Sequence, residues 1–430
     1  MTPAQSAALR NISLGEFVVL IAAMMAMTAL SIDIMLPALP AIADAYNVLN
    51  ENDRQMVVTA YVIGFGLAQL VPGPISDRFG RKSPLLVFLL IYAVASVLIV
   101  FAPSFEMLLL ARFVQGIGSA GPRVVALAVV RDCFSGRHMA RIMSYVIMVF
   151  IIVPVIAPSI GGALLLAGHW QWIFWLLFGA SVLLLAWSGL RLPETRAEAL
   201  RLPISVGSLV RDFKTVITNR VTLFYTIGTS AIFGCMLAYI NSAQQIYADI
   251  FGVTDAFPLV FGAVACVLAV ASFLNGRLVE RLGMRLLGHG AVLAFILIAA
   301  VHLGIALTET EDIYLFCILL GANFLAFGFI MANFNAMAME PVGRIGGTAS
   351  SFIGCVQTCG AGILGYFVGQ AYNGTVVPLL ASYVAFGVIT LIAALIAERG
   401  RLFAARWAPP NQPLPHDVAD RTASAGSPAD

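Results

Sequence analysis

"GPISDRFGRK", residues 73–82, packs Asp77, Arg78, Arg81 and Lys82 into six positions of a chain that is 60% hydrophobic and only 11% charged. Charge this dense, set between two long apolar runs, marks a turn held outside the hydrocarbon of a membrane. The mean hydropathy of +0.94 over 430 residues lies far beyond soluble globular usage. Apolar runs of about 20 residues are what a helix needs to cross roughly 30 Å of lipid. Working outward from residues 73–82, the sequence offers twelve candidate helices, at 17–42, 56–76, 85–104, 107–130, 140–166, 170–192, 221–247, 256–278, 286–307, 313–339, 346–371 and 376–397. The fold class expected is an all-α polytopic membrane protein.

The first run follows a polar leader of about 16 residues and is too long for a signal-peptide core, so it is expected to be retained. Cys133, Cys235, Cys266, Cys317, Cys355 and Cys359 lie in or at the ends of the runs without metal-ligand spacing. They are expected to pack, with no metal and no disulfide.

Orientation follows from Lys and Arg, which cytoplasmic loops retain. Of the 24 basic residues, Arg112 and Arg123 fall inside the fourth span and Arg54 in the first loop. The rest lie in the leader, the even-numbered loops and their edges, or the tail. The opposite loops carry acids: Asp44, Glu51 and Asp53, then Glu106, then Glu309, Glu311 and Asp312. Both termini are therefore expected in the cytoplasm.

The opening stretch has a second copy. "GRLVERLGMR", residues 276–285, follows the eighth span, and Gly73, Asp77, Arg78, Gly80 and Lys82 align with Gly276, Glu280, Arg281, Gly283 and Arg285 at a constant offset of 203. A parallel repeat of six spans follows, with residues 1–193 as one bundle, 194–220 as the connecting cytoplasmic loop, 221–398 as the second bundle and 399–430 as a tail. The tail from 405, "RWAPPNQPLPHDVADRTASAGSPAD", has the composition of a disordered extension.

These residues resemble the signature of the major facilitator superfamily, whose loop after helix 2 carries a Gly, an acid and an Arg-Phe-Gly-Arg-Lys run. Three stretches look like its drug:proton antiporter branch: "RFVQGIG" from Arg112, "APSIGG" from Ala157 and "SIDIMLPALP" from Ser31. The last, with "LPET" at 192–195 and "YINSAQQIYADIFGV" at 239–253, is similar to the bicyclomycin and chloramphenicol resistance exporters. The helix-5 motif, Pro154, Ala157, Pro158, Gly161 and Gly162, departs at Ala157, where the branch usually has Gly. Pro154 and Pro158 remove backbone donors and predict a kink. The resemblance implies twelve helices in two pseudo-symmetric bundles and alternating access.

Ionisable groups at mid-helix cost about 2.5–3.5 kcal/mol on insertion scales, so each asks for a role. Asp33 in the first span and Arg112 in the fourth are expected to share a depth, and the resemblance assigns them proton and substrate coupling. Gln115, Ser119, Arg112 and Arg123 fall on one broad face of the fourth span, directed toward a cavity. Tyr239, Asn241, Gln245 and Asn333 are expected to line that cavity from the second half. Tyr61, Tyr145 and Tyr225, and the amides Gln244, Asn323 and Asn335, serve either the cavity or packing, and His289 is expected to pack. Asp77 is expected to dock against the start of the eleventh span at "GRIGGTASS", residues 343–351, clasping the halves with Arg78, Arg81 and Lys82. Glu280 would do the same at the start of the fifth span, near 136–139, and Gly73, Gly80, Gly276 and Gly283 would permit the close approach.

No GxxxxGKS, HExxH or CxxC run occurs, so neither ATP hydrolysis nor metal chemistry is expected and an ion or substrate gradient must drive transport. The expected activity is proton-coupled export of small lipophilic compounds across the inner membrane by a chain acting alone, with no cofactor and no nucleic acid. A facilitator for a single metabolite is the alternative.

Overall fold

The computed structural model describes residues 12–403 apart from 135, 197–205, 254–255 and 309, and, in addition, leaves aside the side chains at 136–138, 140–141, 144–145, 147–151, 206, 208–209 and 344. The leader, most of the linking loop before 206, the tail and Tyr145 thus lie outside the described residues. Those described are helices and the turns that join them.

Helix α1 (Leu14–Asp33) bends through a 3-10 turn, Leu36–Ala38, into α2 (Leu39–Ala45). Pro37 and Pro40 have no N–H to continue the ladder. A turn at Glu51–Gln55 opens α3 (Met56–Ala68), and α4 (Pro72–Phe79) follows after a 45° bend. The single helix expected over 56–76 is therefore broken, because Pro72 cannot donate backward and instead starts a new helix. The first half continues with α5 (Lys82–Val100), α6 (Phe105–Cys133), α7 (Gly136–Ala167) and α8 (Gln171–Arg191). Helix α9 (Val206–Thr218) lies in the linking segment. The second half is α10 (Arg220–Gln245), extended by a π turn at Ile246–Ile250, then α11 (Phe257–Leu282), α12 (Met284–Ala306), α13 (Ile313–Met339), α14 (Gly346–Gln370) and α15 (Val377–Ala397).

Ten of these stretches are long and apolar enough to cross a membrane, and the bent α3–α4 pair makes eleven. Helix α7, with 32 residues, is the twelfth expected crossing. Their starts are set by local chemistry. Ser13, Ser104, Asn219 and Asp312 cap α1, α6, α10 and α13, each side-chain oxygen accepting the N–H three residues on. These bonds satisfy donors that a helix start otherwise leaves unpaired.

Within the first half α1 packs on α6 and α7, α3 on α6, and α5 on α6 and α8; in the second, α10 packs on α13, α14 and α15, and α12 on α13 and α15. Lipid gives helices no hydrophobic drive to associate, so close van der Waals approach must do it. The α3–α6 pair shows how: Gly64 faces the Phe113 carbonyl and Gly116 the Tyr61 carbonyl, each at a distance that leaves no room for a Cβ. Leu90, Leu98, Leu183, Leu297, Ile318 and Phe367 point outward, as a lipid-facing surface requires. The two six-helix bundles meet along α3 with α14 and α7 with α11.

Candidate functional site

Asp33 ends α1 and is buried, 4% exposed. The turn that follows it, Leu36–Ala38, packs on α10 of the other half, the helix that carries Tyr239. An ionisable group thus stands at the junction of the bundles.

Arg112 does not pair with it. Its guanidinium is fully buried and donates from Nε to the Val57 carbonyl at 3.0 Å, from Nη1 to Gln115 Oε1 at 2.5 Å, and from Nη2 to the Ser31 carbonyl at 3.2 Å and Met35 Sδ at 2.9 Å. Tyr61 and Phe174 cover it, with ring centroids 4.5 and 5.8 Å from Cζ. Arg112 therefore ties α1, α3 and α6 together through carbonyls that the bends at Ser31–Met35 and Val57 present. Gln115, expected in the cavity, faces the interior of the first bundle, where its Nε2 donates to Ser96 Oγ at 2.8 Å. Ser119 is likewise buried and donates to the Gly116 carbonyl. Tyr92 and Ser31 close the same network through their hydroxyls. Of the fourth-span set, Arg123 is only part-buried, lying over the Phe65 ring at 5.8 Å.

From the second half, Tyr239 stacks on Phe261 at 5.5 Å, meets Phe324 edge-on at 5.3 Å and shares a hydrogen bond with Tyr247 at 3.2 Å. Asn241 is buried with its Oδ1 unbonded among the described residues. Asn333 instead joins helices, donating to Asn275 Oδ1 at 2.7 Å and the Phe329 carbonyl at 2.8 Å. Tyr225 and His289 pack together, their hydroxyl and Nε2 3.0 Å apart. Among the described residues no group of three His, Cys, Asp or Glu could hold a metal.

Gln245, expected in the cavity, is buried in an amide network across the halves, at the end of the molecule opposite residues 73–82. Its Nε2 donates to Asn52 Oδ1 at 2.9 Å and its Oε1 accepts from Gln55 Nε2 at 2.6 Å. Gln55 also donates to the Gly369 carbonyl at 3.3 Å, Asn52 Nδ2 to the Gln370 and Tyr372 carbonyls at 3.2 and 3.0 Å, and Gln370 Nε2 back to the Asn52 carbonyl at 3.1 Å. Further along the seam Gln69 donates to Thr358 Oγ1 at 2.9 Å and the Gly354 carbonyl at 3.3 Å. Asn52, Gln55, Gln69 and Gln370 carry no sequence signal of this role, because isolated amides at helix ends are ordinary.

The clasp differs from expectation. Asp77 turns to Arg81, 2.9 Å away on the next turn, and to Arg196 at 3.9 Å, instead of the start of α14. The next-turn spacing puts a cation within reach of the carboxylate inside its own loop. Gly73 is what faces α14: a Cβ there would lie 3.5 Å from Ser351 Oγ. Arg81 is buried; it bonds Asp132 at 2.7 Å and Ser76 at 2.8 Å. Burial opposes its charge, but Asp132 and Asp77 outweigh that and hold its pKa above the ordinary value. Glu194 of the LPET stretch accepts from the Arg81 and Lys82 backbone N–H groups at 2.8 and 3.1 Å, capping α5 from a distant segment. Arg78 lies over Phe79. In the second copy Gly276, Glu280 and Arg281 are exposed, and the partner expected for Glu280 near 136–139 falls largely outside the described side chains. Arg285 does there what Arg81 does here, binding Glu340 at 3.1 Å and Glu398 at 3.0 Å.

Helix α7 carries Pro154 and Pro158 without a break. Ala157 is fully buried, and Gly161 abuts the Ile34 carbonyl too closely for a Cβ, whereas Gly162 meets nothing within 4 Å. Val155 packs on Gly262 of α11, with a Cβ at Gly262 placed 3.1 Å from Val155 Cγ1. The motif therefore sits where α7 touches both α1, next to Asp33, and the other half.

Comparison with known proteins adds the following. The family described as Major Facilitator Superfamily matches residues 19–366. A bicyclomycin resistance protein homolog of Haemophilus influenzae is 30% identical over 365 residues, covering 84% of this chain and 91% of that one. Multidrug resistance protein MdtL of Escherichia fergusonii is 27% identical over 375 residues, 87% and 93% of the two chains. Among solved structures, the xylose transporter XylE of E. coli in a partially occluded inward open conformation aligns with a TM-score of 0.68 at 13% identity, over 92% of this chain and 99% of that one. At such identity the likeness shows the fold alone.

Proposed function

The chain belongs to the major facilitator superfamily, and from that premise we propose that it exports small lipophilic drugs or toxic compounds across the inner membrane of a bacterium in exchange for protons. The observation that carries this reading is Asp33, an acid buried beside the turn that packs on α10, the helix of the other half that carries Tyr239 and its aromatic neighbours. A carboxylate there can hold a proton or yield it as substrate occupies the aromatic wall, so the two loads exclude one another. The resistance proteins of Haemophilus influenzae and Escherichia fergusonii support the cargo class.

In this reading residues 1–193 and 221–398 rock as two units about the fixed site, and the segment 194–220 links them. Tyr239, Asn241 and Arg123 face substrate. Arg112, with Gln115 and Ser119, holds α1, α3 and α6 in the geometry that keeps Asp33 buried. The loop 73–82 and its copy stabilise the cytoplasmic end of each unit, both termini lie in the cytoplasm, and the chain works as a monomer.

Drug susceptibility of an efflux-deficient host, paired with dissipation of a pH gradient in vesicles, tests the proposal. Wild type should confer resistance and release protons on drug addition. Asp33→Asn, inserted at equal level, should do neither; undiminished efflux by that variant against a proton gradient would sink the assignment.

A further inference from the structure

Helix α9 packs on α14, α10 and the turn at Glu340–Ile345, all of the second half. Its inner face holds Val216, fully buried with Val342 and Ala349, and Phe213, whose ring centroid lies 5.9 Å from that of Phe352. Phe352 adjoins Ser351, which Gly73 faces, so α9 lies at the end of the molecule that carries residues 73–82. A single residue, Asn219, separates it from the membrane-crossing α10 and caps that helix. At 1.5 Å per residue Ile217 stands within about 5 Å of the start of the crossing, at the depth of lipid headgroups.

Another face of α9 is covered by none of the described residues. Val210 is 61% exposed and Ile217 44%, and exposed Lys214 stands between them, four residues after the one and three before the other. These spacings put all three on one stripe. Arg211, three residues before Lys214, is exposed as well and extends the cationic edge. Among the described residues neither cation makes an ion pair. Asp212, two residues from Lys214, belongs to another side of the helix. Thr215 and Thr218 turn their hydroxyls back to the Arg211 and Lys214 carbonyls at 2.9 and 2.7 Å. Arg220, at the start of α10, has its Nε buried with no hydrogen-bond partner among the described residues.

Two exposed apolar side chains with a cation between them are what a helix lying in a membrane surface presents. The apolar groups enter the acyl boundary, and the longer basic side chains reach the phosphates. A second copy of the chain would bring cations against cations, since the stripe holds no acid. Anionic phospholipid complements the apolar and the charged groups together, and α9 stands at its level. We propose that α9 docks on anionic phospholipid through Val210, Lys214 and Ile217, with Arg211 beside them, and so anchors the second half to one leaflet. Because Phe213 packs on Phe352 near the start of α14, headgroups held by α9 bear on the helix that forms the seam with α3. The inference needs only that the chain spans a membrane and stands whatever the cargo.

Benzoylphenylalanine in place of Ile217 cross-links, on illumination, to whatever lies against this face, and mass spectrometry of the purified full chain identifies it. In vesicles of equimolar phosphatidylglycerol and phosphatidylcholine the adduct should be phospholipid, with phosphatidylglycerol favoured about fivefold or more at low salt. The preference should fall toward one when Arg211→Gln and Lys214→Gln are combined, and also as salt is raised. The same group in place of Thr215, which lies off the stripe, should give no lipid adduct. Equal yields of the two lipids in the otherwise unchanged chain, or a preference that the double variant leaves unmoved, overturns the anionic docking. Attachment at 217 to a second copy, to residues 404–430 or, in native membranes, to another protein would give the face a different occupant and overturn the proposal outright.

Discussion

Gly80 and Gly283 adopt nearly the same backbone conformation, φ 87° with ψ 168° and φ 78° with ψ 156°, a region that side-chain-bearing residues avoid. Each ends the helix before it and lets the next begin at once, so the aligned glycines of the two copies carry one structural task. Their surroundings differ. A Cβ at Gly80 would strike the Glu194 carboxylate, whereas nothing lies within 4 Å of Gly283. Gly283→Ala should therefore cost only the backbone strain, about 1–3 kcal/mol. Gly80→Ala should lower the melting temperature of detergent-purified protein further, because Glu194 must also leave the N–H groups of Arg81 and Lys82. Equal losses would refute the capping role of Glu194. At Arg112 four acceptors on three helices converge on one planar guanidinium, a geometry no ammonium reproduces. Arg112→Lys is expected to transport no better than Arg112→Ala at matched expression, since buried carbonyls are left unpaired in both; full rescue by Lys would mean that charge alone matters.

Among the elements, helix positions were legible because lipid imposes length and apolarity on every crossing, and loops could be read from charge. Breaks inside crossings were harder to read. Pro72 divides α3 from α4 within a run that is apolar throughout, and Pro154 and Pro158, with the same chemistry, leave α7 whole. The repeat itself was visible, but its cation was misplaced: the alignment pairs Lys82 with Arg285, while Arg81 does the matching work, since a one-residue shift is free once the partner acids sit on other helices. Gln115 and Gln245 were assigned to the cavity because helical spacing gives a face without saying what lies opposite it. For Gln245 what lies opposite is Asn52 and Gln55 of the other half. Each bond is worth about 0.5–1.5 kcal/mol net, so Gln245→Ala should shift the balance toward opening at that end about fivefold or more. Spin labels at the exposed Leu49 and Ala371 would report a longer distance; an unchanged distribution would remove the network from the gating cycle.

Across the whole molecule the two halves repeat a scheme that no local pattern reveals: the loop of each copy is held by an acid ending the fourth helix of its half and by another beyond the sixth. In the first half Asp132 takes the Arg81 guanidinium and Glu194 the Arg81 backbone N–H, while in the second Glu340 and Glu398 both take the Arg285 guanidinium. These clusters bind each half internally, so each can turn as a body. What joins the bodies is the seam of α3 with α14, where amides sit toward both ends, Gln55 at the Gly369 carbonyl and Gln69 at Thr358. Rocking about a central site must loosen one end as it tightens the other. Weakening the Gln245 end should therefore favour one open state, and Gln69→Ala the opposite one. The two sites touch no common residue, so their effects on the balance should add with opposite signs. The double variant Gln69→Ala with Gln245→Ala is accordingly expected to return toward the wild-type ratio of states, measured by label pairs at both ends of the seam, and to recover part of the transport that each single variant loses. A double variant displaced further in either direction than both singles would show that the seam is a static weld and that the halves move about some other contact, the α7–α11 crossing being the remaining candidate.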